Sequence, residues 1–253
     1  MTFTLAVAGK GGTGKTSIAA MIITWLSRER PGSILAIDAD PASNLNLALG
    51  LPLPATVGQI REDLGEQNSP DGLNGLTKVD YLDHKVRMSI EEGAAMDLLV
   101  MGRPEGAGCY CAVNHLLRQI VDRVGLAYAY VVVDNEAGME HLSRRTTRDV
   151  DLLLLATDPS MRGLKTAEAM IHLAKDLDVR VGKSAVVVNR VRGSVAPAMQ
   201  SALAALPVEV AGYIPEDELV SELDGAGLPL AQLDGNSPAY AAVAAMAAGL
   251  IPG

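Results

Sequence analysis

Aromatic side chains are scarce in this chain: of 253 residues one is Phe, one is Trp and six are Tyr. That scarcity argues against the stacking platforms on which single-stranded nucleic acid is held. Positive charge is also in deficit, with 21 Lys and Arg against 30 Asp and Glu and a formal net charge of −9. Nucleic acid and anionic lipid surfaces attract cations, so neither is an expected partner. Arg144, Arg145 and Arg148 do cluster, and they read as a solvated helix face. Long apolar runs are missing too. The stretch "AYAAVAAMAAGLI" (239–251) falls short of the roughly 18 residues that a bilayer span takes. No basic leader precedes the first apolar run, so the expectation is a cytoplasmic protein with no membrane partner and with reduced thiols. Cysteine itself is nearly absent. The two in the chain, Cys109 and Cys111, stand one residue apart in "GAGCYCA" (106–112).

What the chain has instead is apolar residues, 49% of the total, enough for a sizeable core. Short β-branched runs alternate with longer helical patterns. The runs predict strands at 3–8, 33–38, 96–101, 129–134, 151–157, 184–189 and 208–214. Several are apolar without alternation, as strands covered on both faces are. Helical patterns fall at 15–28, 113–124, 139–149, 161–177, 197–205, 216–224 and 238–249. This alternation predicts an α/β fold, a doubly wound and mostly parallel sheet flanked by helices. No repeat or low-complexity linker divides the chain, so 1–253 reads as a single domain. Residues 50–95 mix breakers and charges and are too long for an ordinary loop, which predicts an insertion with some structure of its own.

The segment "GKGGTGKT" (9–16) fits G-x-x-x-x-G-K-[ST] and lies between the first strand and the first helix, the setting a phosphate-binding loop requires. Its glycines, Gly9, Gly11, Gly12 and Gly14, let backbone N–H groups approach phosphate oxygens closely. The helix N-terminus adds partial positive charge. In such a loop Lys15 reaches the β- and γ-phosphates, and the Thr16 hydroxyl holds Mg²⁺.

Lys10 is a second lysine in the loop, and "KGGTGKT" resembles the deviant Walker A motif of the family that includes nitrogenase iron protein and the MinD and ParA ATPases. In that family Val is usual where Thr13 stands, and the difference is expected to have little consequence. The resemblance implies an ATP-hydrolysing homodimer of P-loop NTPase fold. Lys10 would cross to the partner's nucleotide and stabilise transition-state charge as an arginine finger does. Further segments match in the family's order. "AIDADP" implies a first switch in which Asp40 orients or deprotonates the attacking water. Asp38, at the strand end, either supports the magnesium site or caps a turn. "VVVDNEAGMEHL" implies that Asp134 holds Mg²⁺ through water, with Gly138 closing the second switch. "VVVNRV" and "GYIPEDE" imply an adenine-binding side built from Asn189, Arg190, Pro215 and Glu216. With Thr13, Thr16 and Ser17 from the loop, these residues complete the implied ATP/ADP site.

Three readings of the cysteines stand. A disulfide across one residue closes a tiny, strained loop in a reducing compartment. Burial of two ordinary thiols is possible, although Gly106 and Gly108 suggest a tight turn with exposed backbone. The third reading is half a metal site: two thiolates do not complete a tetrahedral set, but the implied dimer offers four. His115 is close enough in sequence to join from the following helix, and its simpler reading is structural.

Here "GAGCYCAVNHLLR" and "DNEAGMEHLSRRT" resemble the CooC-type ATPases that mature nickel-containing carbon monoxide dehydrogenase, a likeness that runs over nearly the whole chain. It implies a metallochaperone whose Cys109 and Cys111 bind Zn²⁺ or Ni²⁺ at the dimer interface, with the nickel enzyme as client. Two alternatives share the family. One is a partition or positioning ATPase, although the C-terminal "AAVAAMAAGLIPG" has no basic face for a membrane. The other is an ATP-driven electron donor with an iron–sulfur cluster bridging two subunits, for which four sulfurs suffice.

Overall fold

The computed structural model describes residues 1–66, 77–103, 111–138, 149–176 and 180–252. Eight strands of the described residues form one sheet: β1 (Phe3–Gly9), β2 (Ile34–Asp38), β3 (Glu91–Glu92), β4 (Asp97–Val100), β5 (Tyr130–Asp134), β6 (Asp149–Thr157), β7 (Arg180–Val191) and β8 (Glu209–Pro215). Their order is β3-β4-β2-β5-β1-β6-β7-β8, and every neighbouring pair is parallel except β3–β4. This is the doubly wound, mostly parallel sheet that the strand runs predict. "YVVVD" carries no polar alternation because all five residues of β5 are buried between two helical layers.

The helices are α1 (Lys15–Glu29), α2 (Leu45–Leu49), α3 (Val57–Glu66), α4 (Lys78–Met88), α5 (Cys111–Gly125), α6 (Met161–Asp176), α7 (Pro197–Ala204), α8 (Glu218–Ala226) and α9 (Pro238–Leu250), with a 3-10 turn at Leu230–Gln232. Successive strand side chains point to opposite faces. Leu5, Val7, Ala36 and Val132 therefore pack with Ile18 and Ile22 of α1, Leu45 of α2 and Val243 of α9. Ala6, Ala8, Ile37 and Val133 join a second cluster with Val57, Leu82, Ile120, Ile171 and Leu203 of α3 to α7. No helix of the described residues is long and apolar enough to cross a membrane.

The 50–95 stretch contributes α3, α4 and β3. Ile60 and Leu64 of α3, with Tyr81 and Val86 of α4, are buried in the same cluster as the sheet, so these helices serve as part of its covering layer. The helix expected at 139–149 lies outside the described residues except for Asp149, which instead opens β6. The helix expected from 216 begins at Glu218, because Asp217 is its N-cap.

Asp217 also ties two helices together. Its Oδ1 accepts the Leu219 N–H at 2.9 Å, while its Oδ2 accepts the Ser237 hydroxyl at 2.6 Å and the Ala239 N–H at 3.0 Å. Burial raises the pKa of this carboxyl, yet the hydrogen bonds from Ser237, Ala239, Leu219 and Val220 outweigh that and hold it below its usual range. Asp217→Ala is therefore expected to cost about 2–3 kcal/mol, read as a lower midpoint in urea unfolding. A midpoint equal to the wild type's would show that the two helix starts stand without it.

Candidate nucleotide-binding site

The site gathers at the carboxyl ends of β1, β2, β5 and β7, where chain connections diverge to either side of β1, as ligand crevices in open α/β sheets do. β1 ends at Gly9, and a side chain there would meet the Ala156 carbonyl of β6 at 2.3 Å. Glycine thus lets the loop leave the sheet against its neighbour. The loop ends at Gly14, the N-cap of α1, in the left-handed region with φ 82°. A Cβ there would lie 2.4 Å from Asn189 Nδ2. Glycine is required twice over, by conformation and by space. No side chain caps α1 and no acidic residue occupies its first turn, so its leading N–H groups face the loop with their partial charge uncompensated.

Inside the loop the Lys10 carbonyl accepts the Thr13 N–H at 3.3 Å, the Thr13 hydroxyl at 2.8 Å and the Lys15 ammonium at 3.5 Å. Lys15 is buried, whereas Lys10 is exposed. The two lysines of one short loop therefore face different surroundings.

Opposite the loop, Asp38 and Asp134 end adjacent parallel strands in direct register. Both have the strand parity of Ala36 and Val132, which points them to the α1 side of the sheet. Asp38 is fully buried, and it accepts the Asp40 N–H at 3.0 Å and the Leu45 N–H at 2.9 Å. The turn-cap reading of Asp38 is thus realised. Burial pushes its carboxyl up to about 6 against these hydrogen bonds. Asp134 is 1% exposed, and neither of its oxygens is held by a well-formed hydrogen bond. Burial pushes it up to about 7, the Thr16 hydroxyl and Lys15 pull it down, and Asp38 and Asp40 add repulsion. A buried carboxylate with unsatisfied oxygens beside the Thr16 hydroxyl fits a cation held between that strand and that helix. Asp40 is half-buried, and its Oδ1 accepts the Ala42 N–H at 2.8 Å.

The segment expected to open the second switch is hydrogen-bonded to the end of β1. Gly138 N–H donates to the Gly9 carbonyl at 3.1 Å, and the Asn135 backbone N–H and Nδ2 both donate to Val7 at 3.0 Å.

A cleft of about 300 Å³ is lined by Asn189, Arg190, Pro215 and Glu216, the residues expected on the adenine side, together with Ser17 of the loop. The β7–β8 ladder is irregular between Val188 and Val191, and Arg190 has φ 58°. That break turns Asn189 inward. Its Nδ2 donates to the Thr13 carbonyl at 2.8 Å and its Oδ1 accepts the Arg190 N–H at 2.9 Å. Glu216 forms a two-pronged ion pair with Arg192, which holds its carboxyl below the usual range. Sequence reasoning missed Asp217 and Ser221 in this lining. For Asp217 a signal existed, an Asp just before a helical pattern.

Cys111 opens α5, one residue before the end of the loop expected at 106–112; its side chain and all of Cys109 lie outside the described residues. His115 is exposed, with its Nε2 3.0 Å from Gln119 Nε2. Among the described residues no group of three or more His, Cys, Asp or Glu could hold a metal ion.

The raised carboxyls give a signed expectation. In the unfolded chain both release their protons near pH 4. Between about pH 4 and pH 7 the folded chain then binds more protons than the unfolded one, so stability falls as pH rises through that window. Without nucleotide or Mg²⁺, Asp134→Asn should flatten the slope and unfold at higher denaturant than wild type above about pH 7. Denaturant unfolding across this range checks it, and an Asn variant no more stable at the alkaline end would contradict it.

Comparison with known proteins bears on this geometry. Residues 4–230 match the model of the CobQ/CobB/MinD/ParA nucleotide binding domain. The chain is 44% identical to an uncharacterized ATP-binding protein of Methanocaldococcus jannaschii, over 98% of each. It is 34% identical to the carbon monoxide dehydrogenase accessory protein CooC of Rhodospirillum rubrum, over 70% of each. Among solved structures, a chain of the MinC:MinD cell division protein complex of Aquifex aeolicus matches with a TM-score of 0.73 and 23% identity, covering 98% of this chain and 95% of that one. The septum site-determining protein MinD of Pyrococcus horikoshii, complexed with Mg-ADP, gives 0.70 and 20%, covering 99% and 96%. At these identities the solved structures speak for the fold alone.

Proposed function

The chain belongs to the CobQ/CobB/MinD/ParA nucleotide-binding family, and from that premise we propose that it is a dimeric ATPase acting as a nickel-insertion accessory protein for carbon monoxide dehydrogenase. One observation carries the client assignment: a chain 34% identical to a carbon monoxide dehydrogenase accessory protein over 70% of each has both its cysteines in a single Cys-x-Cys. Two thiolates are half of a tetrahedral set, and a second copy supplies the other half. Cys109 and Cys111 of each copy would hold Zn²⁺ or Ni²⁺, since thiolates accept either. The metal destined for the client is cargo.

On this reading the uncapped start of α1 and the loop N–H groups receive the phosphates. Lys15 leaves the Lys10 carbonyl for the β- and γ-phosphates. Thr16 and Asp134 would hold Mg²⁺, which supplies charge to the β- and γ-phosphate oxygens when bound. Asp40, fixed by the Ala42 N–H, orients the attacking water or accepts its proton. Lys10 reaches the second copy's nucleotide and stabilises the charge that develops there. The base lies in the cleft between Asn189 and Pro215. Because thiolates and nucleotide loops share one interface, metal and ATP each change the other's affinity by the same factor.

The test is metal content and molecular mass, with and without ATP, for the wild type and for Cys109→Ser/Cys111→Ser. About one metal ion per two chains is expected, with loss of the metal-induced dimer in the variant. A monomer carrying a full metal ion per chain would refute the shared site. A coloured protein with thiolate-to-iron absorption would point to the electron-donor alternative, because zinc is colourless. Independently, Lys15→Ala should abolish ATP turnover, and undiminished turnover would remove the assignment of the loop.

A further inference from the structure

Thr13 is 1% exposed, in the middle of a loop whose neighbours Lys10, Gly11 and Gly12 are exposed. A hydroxyl at such a position costs free energy unless it is bonded. It is bonded to the Lys10 carbonyl at 2.8 Å, an oxygen that also accepts the Thr13 N–H at 3.3 Å and the Lys15 ammonium at 3.5 Å. The Thr13 carbonyl in turn accepts Asn189 Nδ2 at 2.8 Å, from the wall of the base cleft. Thr13 is therefore held from both sides, by its hydroxyl to the residue that carries the exposed lysine and by its carbonyl to β7.

We propose that Thr13 is a positioning residue: its hydroxyl clamps the Lys10 peptide so that the Lys10 side chain is presented outward, toward a second copy and away from its own nucleotide. The proposal rests on the ATPase reading above and adds a residue to it. Three donors on one carbonyl oppose rotation of the peptide that would swing Lys10 inward. They are not equivalent once nucleotide arrives. The γ-phosphate draws Lys15 away, and the two Thr13 donors remain. Valine, the usual residue here in the resembled family, would keep the branched outline of Thr13 and its N–H bond while losing the hydroxyl. The clamp is therefore a device of this chain, against the expectation that the difference has little consequence. Asn189 extends the clamp. Because it anchors Thr13 from the cleft wall, the base side of the site and the outward lysine share one buried residue.

The experiment compares Thr13→Val, which removes the hydroxyl, with Thr13→Ser, which keeps it, each alone and with Lys10→Ala. The first readout is amide hydrogen exchange of the 9–16 segment in nucleotide-free protein. Exchange should be about 5-fold faster in Thr13→Val and near wild type in Thr13→Ser. The second is steady-state ATP hydrolysis. In Thr13→Val, kcat should fall about 5- to 10-fold with KM within about 2-fold, Thr13→Ser should restore it, and Thr13→Val should add no further loss in the Lys10→Ala background. Unchanged exchange in Thr13→Val overturns the clamp. Faster exchange with unchanged kcat, a rise in KM alone, or a full additional loss on top of Lys10→Ala overturns the link to Lys10 while leaving hydrolysis standing. Wild-type turnover no higher than that of Lys15→Ala removes the hydrolytic reading itself, and overturns the proposal by that separate route.

Discussion

Two carboxylates at the ends of adjacent parallel strands set the terms for everything around them. Asp38 and Asp134 are in register, buried, and pushed in the same direction by the same cause. Asp38 has found backbone N–H partners in the turn that leads to α2. Asp134 has not, and an ionised carboxylate there is costly until positive charge stands beside it. The phosphate loop brings that charge near, as Lys15 and the start of α1, without letting it close on the carboxylate. The local arrangement is consistent with a site completed by what it binds.

The family and the specific task are supported at different depths. A family model over residues 4–230, together with the sheet order and the loop geometry, speaks for a nucleotide-binding chain. The proposed client and metal rest on two cysteines and one relative. The difference is physical. A phosphate loop is a local device, complete within one strand, one turn and one helix. A Cys-x-Cys pair is an incomplete coordination set whose remainder, on the proposed reading, belongs to another molecule.

Legibility from sequence follows the same division between local and distant. The parallel strands were readable because burial on both faces leaves uninterrupted β-branched runs, as in β5 and β6. The helices α3 and α4 were not, because Pro52, Pro54 and Gly58 obscure the first and the many charges of Lys78–Met88 the second. Yet Val57, Ile60 and Leu64 keep helical spacing and are buried. A two-residue strand such as β3 is too short to leave any pattern. In the site, Asn189, Arg190, Pro215 and Glu216, which two separate motifs name, line one cleft. What no motif could show is reach: Asn189 to the Thr13 carbonyl across 176 positions, and Asp217 to the start of a helix twenty positions on. Such bonds depend on how the chain is folded back, and their partners carry no mark of it.

The first helix after the loop has one more consequence. From Ile18 to Leu26 every residue of α1 is buried, flanked by the sheet, α2 and α9. A rod so enclosed cannot tilt or slide without opening voids in a close-packed interior. It is the fixed bearing of the molecule. On the proposed reading, a phosphate arriving at its tip would meet a support that does not yield, and any displacement would fall to the exposed rim of the loop at Lys10, Gly11 and Gly12.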